Sequence, residues 1–187
     1  MKTLIIDVDG VLLNWKSNLP FFMTQLGLQH KLNDLSLINT DIHAHEMFKN
    51  TSTDETRKLI AAYTEHDSAK YMPAYEDAYS TLERLSKTHK IIALTKFGWS
   101  RTAWCNRQFN LSALFPHMID ELISIEFHEN KSVYIKDLQK RHDIEFFIDD
   151  RIENINDIKT NFPEICCLHV DRHNNQSSAL AHATAFL

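Results

Sequence analysis

Between Thr3 and Leu13 the chain reads TLIIDVDGVLL. A short, unbroken apolar run, Leu4 to Ile6, ends in two aspartates one residue apart and then a glycine. Such a run reads as a buried strand that delivers carboxylates to a sheet edge. Side chains two apart on a strand point the same way, so Asp7 and Asp9 can converge, and Gly10 lets the backbone turn sharply out of the sheet. Carboxylates held this way call for a cation or a proton between them. An exposed turn with two incidental aspartates would look the same locally, because Asp and Gly are ordinary turn residues. Recurrence of the pattern separates the two readings.

The pattern recurs. KIIALT, Lys90 to Thr95, is a second apolar run and ends in a hydroxyl, and EFFIDD, Glu145 to Asp150, is another that ends in acids. Met118 to Ile125 and Ile165 to Val170 complete a set of five predicted strands. Helical patterns lie between them at Ala74 to Ser86, Ser100 to Phe109, Ser132 to Arg141 and Asn154 to Asn161, with a short helix from Ser177. Strands that are continuously apolar and alternate with helices imply an α/β fold, a doubly wound Rossmann-like parallel sheet of about five strands covered on both faces. Active groups of such a sheet gather at the carboxyl ends of its strands. The acids, the threonine and the later acids all fall there.

From Asn14 to about Met72 the pattern is helical and polar with no strand-like run. Asn18 to Leu26 reads as a helix with Pro20 early inside it, and Thr53 to Tyr63 as a second, with Thr53 as its cap. For 187 residues, one domain carrying an insertion is the natural division. The expected core is residues 1–13 and 73–187, and the expected insertion, a small helical cap, is residues 14–72.

Composition narrows the partners. A net charge of −5 gives no basic footprint, so double-stranded nucleic acid is not an expected partner. No apolar run approaches the roughly 20 residues of a membrane span, and a chain that enters a strand by Leu4 leaves no room for a signal peptide. The 3 cysteines, with Cys166 and Cys167 adjacent, make neither a disulfide framework nor a CxxC site. The expectation is a cytoplasmic protein without a membrane partner. The residues leave its oligomeric state open.

The ordered set Asp7 and Asp9, Thr95, Lys131, Asp149 and Asp150 resembles the haloacid dehalogenase superfamily, in its magnesium-dependent phosphatase branch. IIDVDGVLL supplies the first motif, IIALT the second, the lysine of ENKSVYIKDL the third and FFIDDRIENI the fourth. The layout is also similar to that of the short 5'(3')-deoxyribonucleotidases, with a DxDGV opening, a helical cap after it and a paired-aspartate end. The resemblance implies that Asp7 attacks phosphorus, that Asp9 protonates the leaving oxygen and later activates water, and that Mg²⁺ is held by Asp7, the main-chain carbonyl of Asp9, Asp149 and Asp150. It further implies that Thr95 and Lys131 bind the phosphate, with Lys136 as the alternative lysine. Lys96, where a small amide is more usual, would add positive charge near the phosphate.

Chemistry supports the same division of labour. Phosphate monoesters hydrolyse so slowly in water that accelerations reach about 10²¹-fold, so a site must combine a nucleophile, a proton donor and charge neutralisation. The expected partner is a small phosphorylated metabolite, a nucleotide or a sugar phosphate. A dehalogenase has no use for Asp9 as a proton donor. A phospho-accepting receiver module carries its acids before the threonine and its lysine near the end, whereas Asp149 and Asp150 follow both. A phosphate-binding regulatory module of the same fold without turnover stands as the alternative.

Other features carry less. His43 and His45 with Glu46 suggest a transition-metal site, yet residues two apart do not share a helix face. Trp15, Phe21 and Phe22 beside the first motif, and Trp99, Arg101 and Trp104 after the second, could line a pocket for a ring or sugar or simply pack the insertion. Arg151 reads as a surface or salt-bridging residue.

Overall fold

The computed structural model describes residues 1–34, 44–173 and 177–187. Five strands, β1 (Lys2–Ile6), β2 (His89–Lys96), β3 (Glu121–Ile125), β4 (Ile144–Asp149) and β5 (Cys166–His169), form one sheet in the order β3-β2-β1-β4-β5. Every neighbouring pair is parallel. The helices of the described residues are α1 (Leu19–Gln25), α2 (Thr53–Glu65), α3 (Ala78–Leu85), α4 (Arg101–Leu114), α5 (Lys131–Leu138), α6 (Ile152–Asn161) and α7 (Ala179–Ala183). None of them is long and apolar enough to cross a membrane.

The unbroken apolar character of β1 follows from its place in the middle of this sheet. Leu4 and Ile6 enter a cluster on one face with Ala78, Leu82 and Leu85 of α3, Leu111 of α4 and Leu180 of α7. Ile5 enters the cluster on the other face, with Ile135 and Leu138 of α5 and Ile155 and Ile158 of α6. Both faces of the strand are dry, and each fully buried Leu or Ile contributes about 1.5–3 kcal/mol. The strand order reverses at β1, whose neighbours β2 and β4 run out on either side of it. A crevice outside the carboxyl ends is the expected ligand position there.

Element boundaries differ from the sequence expectations where backbone contacts intervene. α3 begins at Ala78 rather than Ala74, because the segment before it is pinned in extended form to the loop after β1: the Asn14 amide donates to the Pro73 carbonyl at 2.9 Å and the Tyr75 amide to the Leu12 carbonyl at 2.9 Å. β3 begins at Glu121 rather than Met118, since Met118 belongs to the turn that follows α4, its amide donating to the Phe115 carbonyl at 3.2 Å. α4 continues to Leu114 beyond the expected Phe109. The cap of α2 is Ser52, whose hydroxyl accepts from the Glu55 amide while Glu55 returns a carboxylate to the Ser52 amide, so Thr53 is the first helical residue.

Within residues 14–72 the described parts build an apolar cluster of their own, with Leu19, Phe22, Met23, Ile60 and Tyr63 among its members. Asparagine side chains fasten the returning chain. Asn106 Nδ2 donates to the Thr64 and His66 carbonyls at 3.1 and 3.2 Å, and Asn110 Nδ2 to the Lys70 and Met72 carbonyls at 3.1 and 3.0 Å. Asn18, before α1, does the same for Ser68 and Tyr71 at 2.9 and 3.0 Å. His43 lies outside the described residues, and Glu46 is exposed.

Candidate active site

β1 and β4 are sheet neighbours, and each ends in acid. The Asp7 amide donates to the Ile148 carbonyl at 2.9 Å, which holds Asp7 against the last turn of β4. Asp7, Asp149 and Asp150 each offer a carboxylate oxygen within 4.8 Å of the others. Lys131, the first residue of α5, is 1% exposed, and its Nζ donates to Asp7 Oδ1 and to Asp149 Oδ2, both at 2.7 Å. Asp149 also accepts from Asn154 Nδ2 at 2.9 and 3.0 Å and from the Arg151 amide at 2.8 Å. Gly10, at φ 90°, closes the cradle: a Cβ there would overlap the Asp150 carboxylate. Only a residue without a side chain lets Asp150 approach this turn.

Asp9 faces a different partner. Arg107, on α4 and 3% exposed, donates from Nη2 to Asp9 Oδ2 at 3.0 Å, and its Nη1 lies 2.6 Å from Oδ1 as an ion-pair contact without hydrogen-bond alignment. The guanidinium also lies over the Phe97 ring, 5.6 Å from its centroid. Tyr63 of α2 donates its hydroxyl to the Trp15 carbonyl at 2.6 Å. Burial, and then the Asp9 charge, push that phenol above its usual range. α2 therefore reaches the neighbourhood of Asp9.

Electrostatics are set by crowded acids in a dry place. Burial pushes Asp7 up to about 6; Lys131 opposes this and Asp149 adds to it. Burial likewise raises Asp9, against the pull of Arg107. For Lys131, burial opposes the charge, but Asp149 and Asp7 outweigh it and hold the ammonium above its ordinary range. Burial and then the Lys131 charge lower Lys96.

The sequence-selected residues are thus placed in three groups. Asp7, Asp149, Asp150 and Lys131 share one cluster. Lys96, partly buried at the end of β2, donates to Asn154 Oδ1 at 3.3 Å and so meets that cluster through Asn154. Thr95, 1% exposed at the end of β2, has a hydroxyl without a hydrogen-bond partner. Lys136 is exposed. Trp99 and Arg101 are exposed, Trp104 is 38% exposed, and Arg151 contacts Glu153 at 3.4 Å. Sequence reasoning missed Arg107 and Asn154. No local sequence signal marked Arg107, which the structure buries on α4 with Ala103, Asn106, Asn110 and Leu111.

The donor set fits a hard divalent cation. Three carboxylates converge with oxygen ligands only, one of them admitted by the absent Gly10 side chain.

Comparison with known proteins adds the fold family. A hydrolase of the haloacid dehalogenase-like family from Streptococcus pneumoniae aligns with a TM-score of 0.65 over 98% of this chain and 91% of its own, at 15% identity. The chain has the haloacid dehalogenase-like fold. A hydrolase from Pseudomonas syringae superposes on this haloacid dehalogenase-like chain with a TM-score of 0.57 over 98% of it and 90% of the other, at 15% identity. An L-2-haloacid dehalogenase superposes at 0.56 over 92% and 85%, at 12% identity. No family model matches the chain. An uncharacterised 32.4 kDa protein of Enterobacteria phage T4, from the Gp30-rIII intergenic region, is 33% identical over 152 residues, which are 79% of the haloacid dehalogenase-like chain and 53% of the phage protein. The chain spans about half the length of this relative.

Proposed function

We propose that the protein is a Mg²⁺-dependent phosphatase that hydrolyses a small soluble phosphate monoester, a nucleotide or a sugar phosphate, through an aspartyl phosphate on Asp7. The observation that carries this reading is the shared cluster of Asp7, Asp149 and Asp150 with the buried Lys131 ammonium 2.7 Å from two of them. A dehalogenase is served by a nucleophilic carboxylate, whereas this site adds a second pair of acids and a proton-bearing group beside the nucleophile.

Bound by Asp7, the Asp9 carbonyl, Asp149 and Asp150, Mg²⁺ would supply charge neutralisation for the phosphate and the nucleophile. The chain's own groups do the rest. A carboxylate oxygen of Asp7 forms a bond to phosphorus as the bond from phosphorus to the leaving oxygen breaks, and that oxygen takes the proton held by Asp9. Water then attacks phosphorus, Asp9 recovers a proton from it, and orthophosphate leaves with Asp7 restored. Lys131 holds Asp7 and Asp149 in place and balances their charge, and the unpartnered Thr95 hydroxyl is available to donate to a phosphate oxygen. Burial keeps Asp9 inclined to hold the proton this scheme needs. Residues 14–72 act as the cap that closes the site from water, with Tyr63 and Trp15 at its inner edge.

The test is release of inorganic phosphate across a panel of nucleotides and sugar phosphates with millimolar Mg²⁺. The expected outcome is turnover of at least one class, a loss of about 10³-fold or more in Asp7→Asn, and loss on chelation. Turnover that survives Asp7→Asn would refute the nucleophile. A saturable phosphate or phosphoester interaction without turnover would favour the regulatory module.

A further inference from the structure

The phosphatase scheme gives Asp9 a task that depends on aim as much as on its proton, because a general acid works only when its oxygen points at the leaving group. Nothing in the loop Asp7 to Leu13 supplies that aim: the grip on Asp9 comes from Arg107, 98 residues further along the chain. Arg107 Nη2 donates to Asp9 Oδ2 at 3.0 Å while Nη1 lies 2.6 Å from Oδ1 as an ion-pair contact, so both carboxylate oxygens are held against the guanidinium. Arg107 is itself held, with Phe97 stacked on it and its side chain 3% exposed. It sits on α4 between Asn106 and Asn110, the two residues whose amides seize the Thr64, His66, Lys70 and Met72 carbonyls of the chain returning from residues 14–72. One helix face therefore grips both the acid and the stem of the insertion.

We propose that Arg107 is a positioning residue for Asp9, aiming its carboxyl at the leaving oxygen from an α4 face that is also fastened to the stem of residues 14–72. This rests on the phosphatase reading above. Among the described residues no hydrogen bond or ion pair joins Arg107 to Asp7, Asp149 or Asp150, so its effect on the reaction passes through Asp9. A guanidinium is suited to this because its rigid fork matches a carboxylate, whereas an ammonium is a single point that fixes distance without plane.

The test uses the leaving group. kcat/KM, which reads the chemistry up to formation of the aspartyl phosphate, is measured for 4-nitrophenyl phosphate, whose leaving group scarcely needs a proton, and for glycerol phosphate, whose leaving group needs one. Wild type, Arg107→Gln, Asp9→Asn and the double variant form a four-protein cycle, and Arg107→Lys is added as the conservative replacement. The expected result is a loss of about 10²-fold for the alkyl ester in Arg107→Gln, within the range ascribed to general acid catalysis. The loss for the aryl ester is smaller, Arg107→Lys gives partial recovery, and Asp9→Asn is not worsened further by the second substitution. Equal losses on the two esters, a change confined to KM, or the same loss in the Asp9→Asn background overturns the proposal. If wild type releases phosphate from neither these esters nor the nucleotides and sugar phosphates of the panel above, the phosphatase reading fails by itself. Melting temperatures of the same four proteins then judge the pair, and strict additivity overturns it.

Discussion

Two buried clusters of charge border the loop after β1, and they are built on different principles. In one, Arg172 donates from Nη1 to Asp77 Oδ1 at 2.8 Å and from Nη2 to the Val11 carbonyl at 2.6 Å, and its guanidinium stacks 4.0 Å from the centroid of Tyr75. The other oxygen of Asp77 accepts from the Leu180 and Ala181 amides at 2.7 and 3.0 Å. Here an acid and a base face each other, and both oxygens of the acid have donors. In the other, the single Lys131 ammonium serves Asp7 and Asp149 while Asp150 crowds in beside them, and burial pushes Asp7 up to about 6. Charges balanced within the chain make scaffolding, and charges left in excess at a strand edge make a site that a cation and a substrate complete.

That contrast can be broken most forcefully at Asp77. Asp77→Ala removes the carboxylate that faces the buried Arg172 guanidinium and frees two amides of α7, and should cost about 3 kcal/mol or more in urea unfolding. The cost should fall on stability, with the residual folded protein keeping its ability to bind Mg²⁺. A variant as stable as wild type would show that the Arg172 cluster is not scaffolding.

A somewhat smaller effect is expected at the other cluster from the cation itself. Mg²⁺ at 100 times its dissociation constant should stabilise the fold by about 2.7 kcal/mol, read as a rise in melting temperature that is reversed by chelation. The rise should vanish in Asp149→Asn and persist in Arg172→Met, compared with each variant's own metal-free baseline. An unchanged melting curve in wild type would remove the distinction drawn here between the two clusters.

The smallest effect is a pH dependence of the metal-free protein. The Asp7 carboxyl is raised from an ordinary 3.8 to about 6, so between those values the folded chain binds the extra proton and the unfolded chain does not. The contribution of Asp7 to stability is then lost as pH rises through about 6. Asp7→Asn has no such proton, so its melting temperature should exceed that of wild type at pH 7.5, and the gap should close toward pH 4. A gap that widens on acidification would reverse the sign assigned to the Lys131 cluster.

The parts of this site that a reader could take from the sequence are those that lie on strands. Asp7, Thr95 and Asp149 stand at or just past the ends of runs whose apolar character has one cause, burial on both faces of a parallel sheet, and Gly10 marks the turn. The resemblance preferred Lys131 to Lys136, and of these two lysines of one short helix the structure brings Lys131 into the dry space between Asp7 and Asp149 while Lys136 is exposed. Arg107 was illegible for a different reason. Its partner is 98 residues away, and an arginine in a polar helix gives no local sign of facing inward until the asparagines on either side are seen to be buried with it. The start of α3 was misplaced because main-chain bonds to Leu12 and Asn14 override the helical preference of Ala74 to Asp77.

The Asp77 knot ties together distant reaches of the polypeptide. Through it the amides of α7, near the chain's last residue, are linked by way of Arg172 to the carbonyls of Gly10 and Val11, immediately downstream of Asp7. A tag, fusion or trimming that disturbs residues 178–181 is consequently transmitted to the turn beside Asp7, so that segment cannot be treated as a neutral handle.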